Sequence, residues 1–201
     1  MKVIANPVRE MDTANPWEAR TKDIIAVGRL VPQKGFDTLI RAFAASAASA
    51  QGWQLRIFGD GHERSTLAAL IEELNLTDEV TLCGITQDPS IALNNAKMFI
   101  LPSRYEGFPN ALLEGMAMAC ACIATDCNSG PSDIIQHQKN GLLTPVDDAH
   151  ALAAAIDNLA SDDALARQFA NAAIDSRTRF STTAIMAQWD ALLLQTSPTP
   201  R

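Results

Sequence analysis

The sequence predicts an α/β fold: a Rossmann-like parallel sheet with helices on both faces. Three observations predict it. Short apolar runs of strand length end at glycines or in charged loops. Segments of helical periodicity alternate with those runs. The composition, 47% hydrophobic and 19% charged over 201 residues, suits a globular chain with one sizeable core. Strands alternating with helices imply right-handed βαβ units, and ligands of such sheets bind beyond the carboxyl ends of the strands.

Residues 1 to 22 are polar, hold Pro7 and Pro16, and read as a linker, with an extended segment from Val3 to Val8. The first strand is Asp23-Ile-Ile-Ala-Val27, closed by Gly28. Residues 28–35 form a loop, and Phe36, Leu39, Ile40, Phe43, Ala44 and Ala47 then recur at helical spacing. Trp53 to Phe58 is the second strand, closed by Gly59-Asp-Gly61, and Leu67, Leu70, Ile71 and Leu74 mark the next helix. Val80 to Cys83 is the third strand, ended by Gly84, and residues 88–96 read as a short helix. Met98 to Leu101 is the fourth strand. After a loop, Leu112, Leu113, Met116, Ala117 and Cys120 give an apolar helix face. Ala121 to Ala124 is the fifth strand, residues 131–137 a short helix, and Gly141 to Thr144 the sixth strand. From Asp147 the pattern is helical to about residue 194, with breaks near Ser161 and at 178–181, and the tail 195–201 reads as disordered. The domain is therefore expected over 23–160, with terminal helices over 161–194.

The net charge of −7 argues against a nucleic-acid partner, which calls for a basic balance or stripe. No apolar run approaches the length of a membrane span, and no signal peptide precedes the fold. Cys83, Cys120, Cys122 and Cys127 lack a histidine in their cluster and a zinc-ribbon spacing, so they read as buried thiols of a reduced, cytoplasmic compartment.

Four loops fall at the predicted carboxyl ends of strands. In the first, Arg29 and Lys34 lie between Gly28 and Gly35. A planar fork of donors beside a compact charge suits a diphosphate; the plain alternative is two solvated surface charges. In the second, Gly59-Asp60-Gly61 resembles the start of a dinucleotide fingerprint, but Arg64 replaces its third glycine and it follows the second strand. The simpler reading is a turn whose glycines let the backbone pass close to a ligand. The third is Ser103-Arg-Tyr-Glu-Gly-Phe-Pro-Asn-Ala-Leu-Leu-Glu114. Pro109 suits the first helical position, and the amides of Asn110 and Ala111 would then be free to face an anion. Glu106 or Glu114 can accept hydrogen bonds from vicinal sugar hydroxyls; a paired-carboxylate hydrolase and a helix-start acid are the competing readings. The fourth, residues 126–132, has a Gly130-Pro131 turn and two serines. Asn140-Gly141 reads as a turn.

Together, Val27-Gly-Arg-Leu-Val-Pro-Gln-Lys-Gly-Phe36, Phe58-Gly-Asp-Gly61, the stretch from Pro102 to Glu114 and Asn140-Gly-Leu-Leu143 resemble the carboxyl-terminal, donor-binding domain of the family 4 retaining glycosyltransferases, one half of a GT-B enzyme. The likeness runs from about residue 23 to 160. It implies that Arg29 and Lys34 bind the donor diphosphate and stabilise the leaving nucleotide, and that Glu106 contacts the donor sugar near the reacting carbon. It implies a pocket shaped by Gly107, Phe108, Pro109 and Asn110 with Gly28, Gly59, Asp60 and Ser103. Glu114 would hold the ribose, and the loop Gly84, Ile85, Thr86 would pass the base. No metal and no cofactor are expected, the nucleotide-sugar (UDP-sugar favoured) being a substrate. Asn110 with Ser129-Gly-Pro131 points to members that build cell-surface polysaccharide or lipid-linked oligosaccharide. Met118-Ala-Cys-Ala-Cys122 departs from the Gly-Leu-Pro expected there. A full enzyme has two such domains, so the chain is expected to be a fragment that binds a hexose donor and transfers little alone. Its partner would be an absent N-terminal acceptor domain that the last helix faces, and the whole enzyme would attach peripherally to the inner membrane face. A stand-alone nucleotide-sugar-binding module shares every site residue. A sugar-nucleotide epimerase calls for a paired histidine, which His62, His137 and His150 do not offer.

Overall fold

The computed structural model describes residues 4–11 and 14–196. Six strands form one all-parallel sheet: β1 (Thr21–Val27), β2 (Gln54–Phe58), β3 (Val80–Gly84), β4 (Ala96–Leu101), β5 (Ala121–Thr125) and β6 (Leu142–Thr144), in the order β3-β2-β1-β4-β5-β6. The helices are α1 (Phe36–Ala45), α2 (Arg64–Glu73), α3 (Ser90–Asn95), α4 (Asn110–Ala117), α5 (Pro131–Ile134), α6 (Ala149–Ser161), α7 (Asp163–Ala173), α8 (Ser176–Arg179) and α9 (Thr182–Thr196).

Strand periodicity sorts the core into two layers, because successive side chains leave opposite faces. Ile24, Ala26, Ile57, Met98, Ile100 and Ile123 pack under α1, α2 and α6, against Leu39, Phe43, Leu67, Leu70 and Ile156. Ile25, Phe99, Leu101, Cys122 and Ala124 pack on the other side, against Leu93, Leu112, Leu113 and Met116. Both faces are covered, so the strands read as continuous apolar runs. Cys120, Cys122 and Cys127 are buried and Cys83 is half-buried. Burial pushes the Cys120 thiol up to about 12, against the pull of the Arg20 charge. No helix among the described residues is long and apolar enough to cross a membrane.

The structure adds to the sequence reading in three places. The segment read as a linker is packed. Trp17 is buried under Lys97, whose Nζ lies 5.1 Å from the ring centroid, and Arg20 donates to the carbonyls of Ala96, Met118 and Ala119 at 3.1, 2.9 and 2.7 Å. Ala119 stands at φ 54°, a left-handed turn that glycine adopts more readily. Finally, α9 continues through Thr196, and of the tail read as disordered, residues 197–201 lie outside the described residues.

Candidate active site

Strand order reverses between β1 and β4, so their carboxyl ends part there and leave the crevice where ligands of open α/β sheets bind. The loop after β1 carries Lys34 into it and the loop after β4 carries Glu106. Lys34 Nζ donates to Glu106 Oε1 at 2.6 Å, and Ser103 Oγ donates to the same oxygen at 2.6 Å. The Glu106 side chain is only 7% exposed and that of Lys34 18%. Lys34 lies along Gly28, where a Cβ would meet its Cδ and Cε at 3.3 Å. Burial, with the Glu106 charge next, pushes up the thiol of Cys127, on the loop after β5. Gly130 on that loop abuts Pro109.

A second arm lies over β1–β3. Gly28, Arg29, Gly59, Asp60, Ile85 and Thr86 line a 250 Å³ cavity together with Val27, Phe58 and Pro89. Arg29 is exposed and has no side-chain hydrogen bond or ion pair among the described residues. Ile85, 80% exposed, offers an apolar rim. Gly84 ends β3 at φ 75° and turns the chain toward this cavity.

The third arm is α4. The chain enters it one residue later than the sequence suggests: Pro109 is the N-cap and Asn110 the first helical residue. The Asn110 amide is therefore spent locally, on Phe108 O at 3.1 Å, and of the two amides only that of Ala111 is left for an anion. Phe108 leans on Phe180, with ring centroids 6.3 Å apart, and Gly107 has open space beside it. Glu114, one helical turn on, has a side chain 21% exposed.

Sequence reasoning missed two sets of residues. Arg104, inside the motif but given no role, joins the loops. Its guanidinium meets Asp37 at 2.8 and 3.0 Å and Asp147 at 2.8 Å, and also donates to Pro32 O, while its amide donates to Gln33 O at 2.8 Å. Gln33 returns a bond to Tyr105 O at 2.8 Å. The two loops that supply Lys34 and Glu106 are thus clamped from outside. The second set is Asn6, Arg9 and Asp88: Asn6 Nδ2 donates to Asn110 Oδ1 at 3.1 Å, and Arg9 faces Asp88 and Glu114. Neither set had a signal in spacing, since the partners stand tens of residues apart.

The clamp has a pH signature. Burial alone would raise the Asp37 carboxyl, but the hydrogen bond and charge of Arg104 outweigh it and hold it below the usual range. A depressed carboxyl contributes stability that is present above its unfolded value, about 3.9, and is lost as pH falls through the lower folded value. Asp37→Asn should flatten the acid limb of the stability curve below about pH 4. Urea melts across that range check it, and an unchanged acid limb overturns the assignment.

Residues 8–176 match the family profile described as glycosyl transferases group 1. The chain is 42% identical over 175 residues to exopolysaccharide phosphotransferase SCO2592 of Streptomyces coelicolor, covering 87% of this chain and 19% of that protein. It is 31% identical over 176 residues to poly(ribitol-phosphate) alpha-N-acetylglucosaminyltransferase of Staphylococcus aureus, covering 87% and 36%. Among solved structures, a variant of S. aureus TarM in complex with fondaparinux, alpha-GlcNAc-glycerol and UDP superposes with a TM-score of 0.88 at 29% identity, over 98% of this chain and 39% of that one. The apo lipopolysaccharide outer core galactosyltransferase WaaB gives 0.85 at 25% identity, over 98% and 56%. The chain spans between 19% and 54% of the length of eight curated relatives it matches.

Proposed function

The chain belongs to the group 1 glycosyl transferases, and on that premise we propose that it is the donor-binding half of a retaining enzyme that moves a hexose-type sugar from a nucleoside diphosphate, UDP foremost. The observation that carries this reading is the Lys34–Glu106 pair at the β1/β4 switch point, with the exposed Arg29 on the same loop as Lys34. One cation is already bound to a carboxylate and the other is free to receive an anion. A diphosphate laid across both would place negative charge where the leaving nucleotide develops it, which is electrostatic catalysis by prearranged cations. The sugar then lies by Glu106, the ribose by Glu114, and the base in the 250 Å³ cavity rimmed by Ile85. The TarM complex with UDP supports the choice of base.

The relatives' names, an exopolysaccharide enzyme and a poly(ribitol-phosphate) one, support a cell-surface polymer as the product. We place the acceptor site and transfer itself in a second domain, a reading supported by the chain's spanning only 19% and 36% of those relatives. The buried thiols suit a cytoplasmic enzyme, attached to the membrane only through that larger whole.

Calorimetry with UDP, GDP, ADP and uridine, with and without a chelator, tests the reading. UDP should bind tighter than uridine, and equally well in chelator, because Arg29 and Lys34 supply the positive charge. Failure of all three nucleotides to bind, or binding abolished by chelator, overturns it.

A further inference from the structure

The N-terminal segment reaches the nucleoside end of the crevice. Val8 is buried and its amide donates to Phe180 O at 2.8 Å, while Asn6 holds Asn110. That anchoring delivers Arg9 between two carboxylates. Its Nη2 meets Asp88 Oδ1 at 2.8 Å, and its Nε stands 3.4 Å from Glu114 Oε1, a Coulombic contact longer than a normal hydrogen bond. Asp88 is itself fixed, accepting from Ser90 Oγ at 2.7 Å and Ser90 N at 3.0 Å. It sits on the loop whose Ile85, Thr86 and Pro89 line the cavity.

We propose that Arg9 is a positioning residue of the donor site: its guanidinium ties the nucleoside loop to α4 and keeps Glu114 turned to the ribose. The proposal rests on the donor-site reading above. An ionised carboxylate accepts from both ribose hydroxyls, whereas a protonated one spends an oxygen as a donor. Burial pushes the Glu114 carboxyl up, Arg9 pulls it down, and Asp88 pushes it up; these two are the charged groups acting on it among the described residues. Without Arg9, burial and Asp88 act unopposed, so protonation, and loss of nucleoside binding with it, moves to higher pH.

The test uses the full 201-residue chain as wild type, Arg9→Gln and Arg9→Lys. UDP binding is measured by calorimetry from mildly acidic to neutral pH, and the Glu114 carboxyl is titrated by carbon NMR without ligand. Arg9→Gln should weaken UDP binding about tenfold at neutral pH, and should move both the acid-side midpoint of binding and the Glu114 titration upward. Arg9→Lys, which keeps the charge and loses the fork, should restore the midpoint and only part of the affinity. Unchanged affinity and an unchanged Glu114 titration in Arg9→Gln overturn the proposal. So does tighter UDP binding, which would make Arg9 a competitor of the ribose. A wild-type chain that binds no UDP, while Arg9→Gln still shifts Glu114, overturns instead the donor-site reading and the nucleoside role with it.

Discussion

Gly59→Ala should lower the stability of the fold by about 3–5 kcal/mol, from backbone strain and overpacking combined. Gly59 sits at φ 142°, a conformation that side-chain-bearing residues rarely adopt, and a Cβ there would stand 1.8 Å from Gly28 O and 2.8 Å from Gly28 C. Both obstacles are backbone, so no rotamer relieves them. Nor can the loops slide apart cheaply, because Gly28 N bonds Phe58 O at 2.9 Å, Gly59 N bonds Gly84 O at 2.8 Å and Leu30 N bonds Asp60 O at 2.9 Å. The loops after β1, β2 and β3 are one interlocked unit, and the cavity beside Arg29 is formed by it. Urea denaturation measures the loss. Asp60→Ala is the control: Asp60 is exposed and, among the described residues, its carboxylate bonds only the neighbouring amide of Gly61 at 2.9 Å, so the expected loss is about 1 kcal/mol or less. Gly59→Ala within about 1 kcal/mol of wild type would show that the loops yield, and the interlock would then not shape the cavity.

That glycine also shows where sequence reading stops. The Gly59-Asp60-Gly61 turn was legible as a place needing close backbone approach. What approaches was legible only in part: Gly59 and Asp60 do line the 250 Å³ cavity, but the sequence did not show that Gly28 and Leu30 of the neighbouring loop also press against Gly59 and Gly61. The strands were legible because a doubly covered parallel sheet writes each strand as an apolar run, and all six runs name the observed strands to within two residues. The order β3-β2-β1-β4-β5-β6 was not legible in any single run; it comes from where the chain doubles back. Lys34 and Glu106, which meet at the β1/β4 switch point, were found because they sit among glycines and prolines at strand ends. Arg104 and Arg9 were missed because their roles depend on partners brought near only by folding: Asp37 and Asp147 for one, Asp88 and Glu114 for the other. The α4 start was off by one residue because the Phe108 carbonyl captures the Asn110 amide, a local turn that composition does not encode.

Lys34→Ala should weaken UDP binding about 30- to 100-fold and lower stability by about 2–3 kcal/mol, less than for a fully buried pair because water partly reaches the ammonium. Two separate mechanisms produce the two losses, and a double substitution parts them. Stability falls because Glu106, with a nearly enclosed side chain, would keep, among the described residues, only Ser103 as a donor on Oε1. Replacing the stranded carboxylate in Lys34→Ala/Glu106→Gln removes that cost, so the double variant should regain stability over Lys34→Ala. Binding should not return, because in the proposed donor site the missing charge is the one that meets the diphosphate. Arg29→Ala is the complementary arm: Arg29 is exposed and unpaired among the described residues, so its loss should weaken UDP binding while leaving the urea midpoint unchanged. Stability effects of Lys34→Ala and Glu106→Gln that simply add, within about 0.5 kcal/mol, would mean that the ion pair does not hold the free chain together. Unchanged UDP affinity in both Lys34→Ala and Arg29→Ala would remove the cations from the donor site altogether. Only the combination of non-additive stability and lost affinity describes a lysine that the fold holds in place through Glu106 and the diphosphate then recruits.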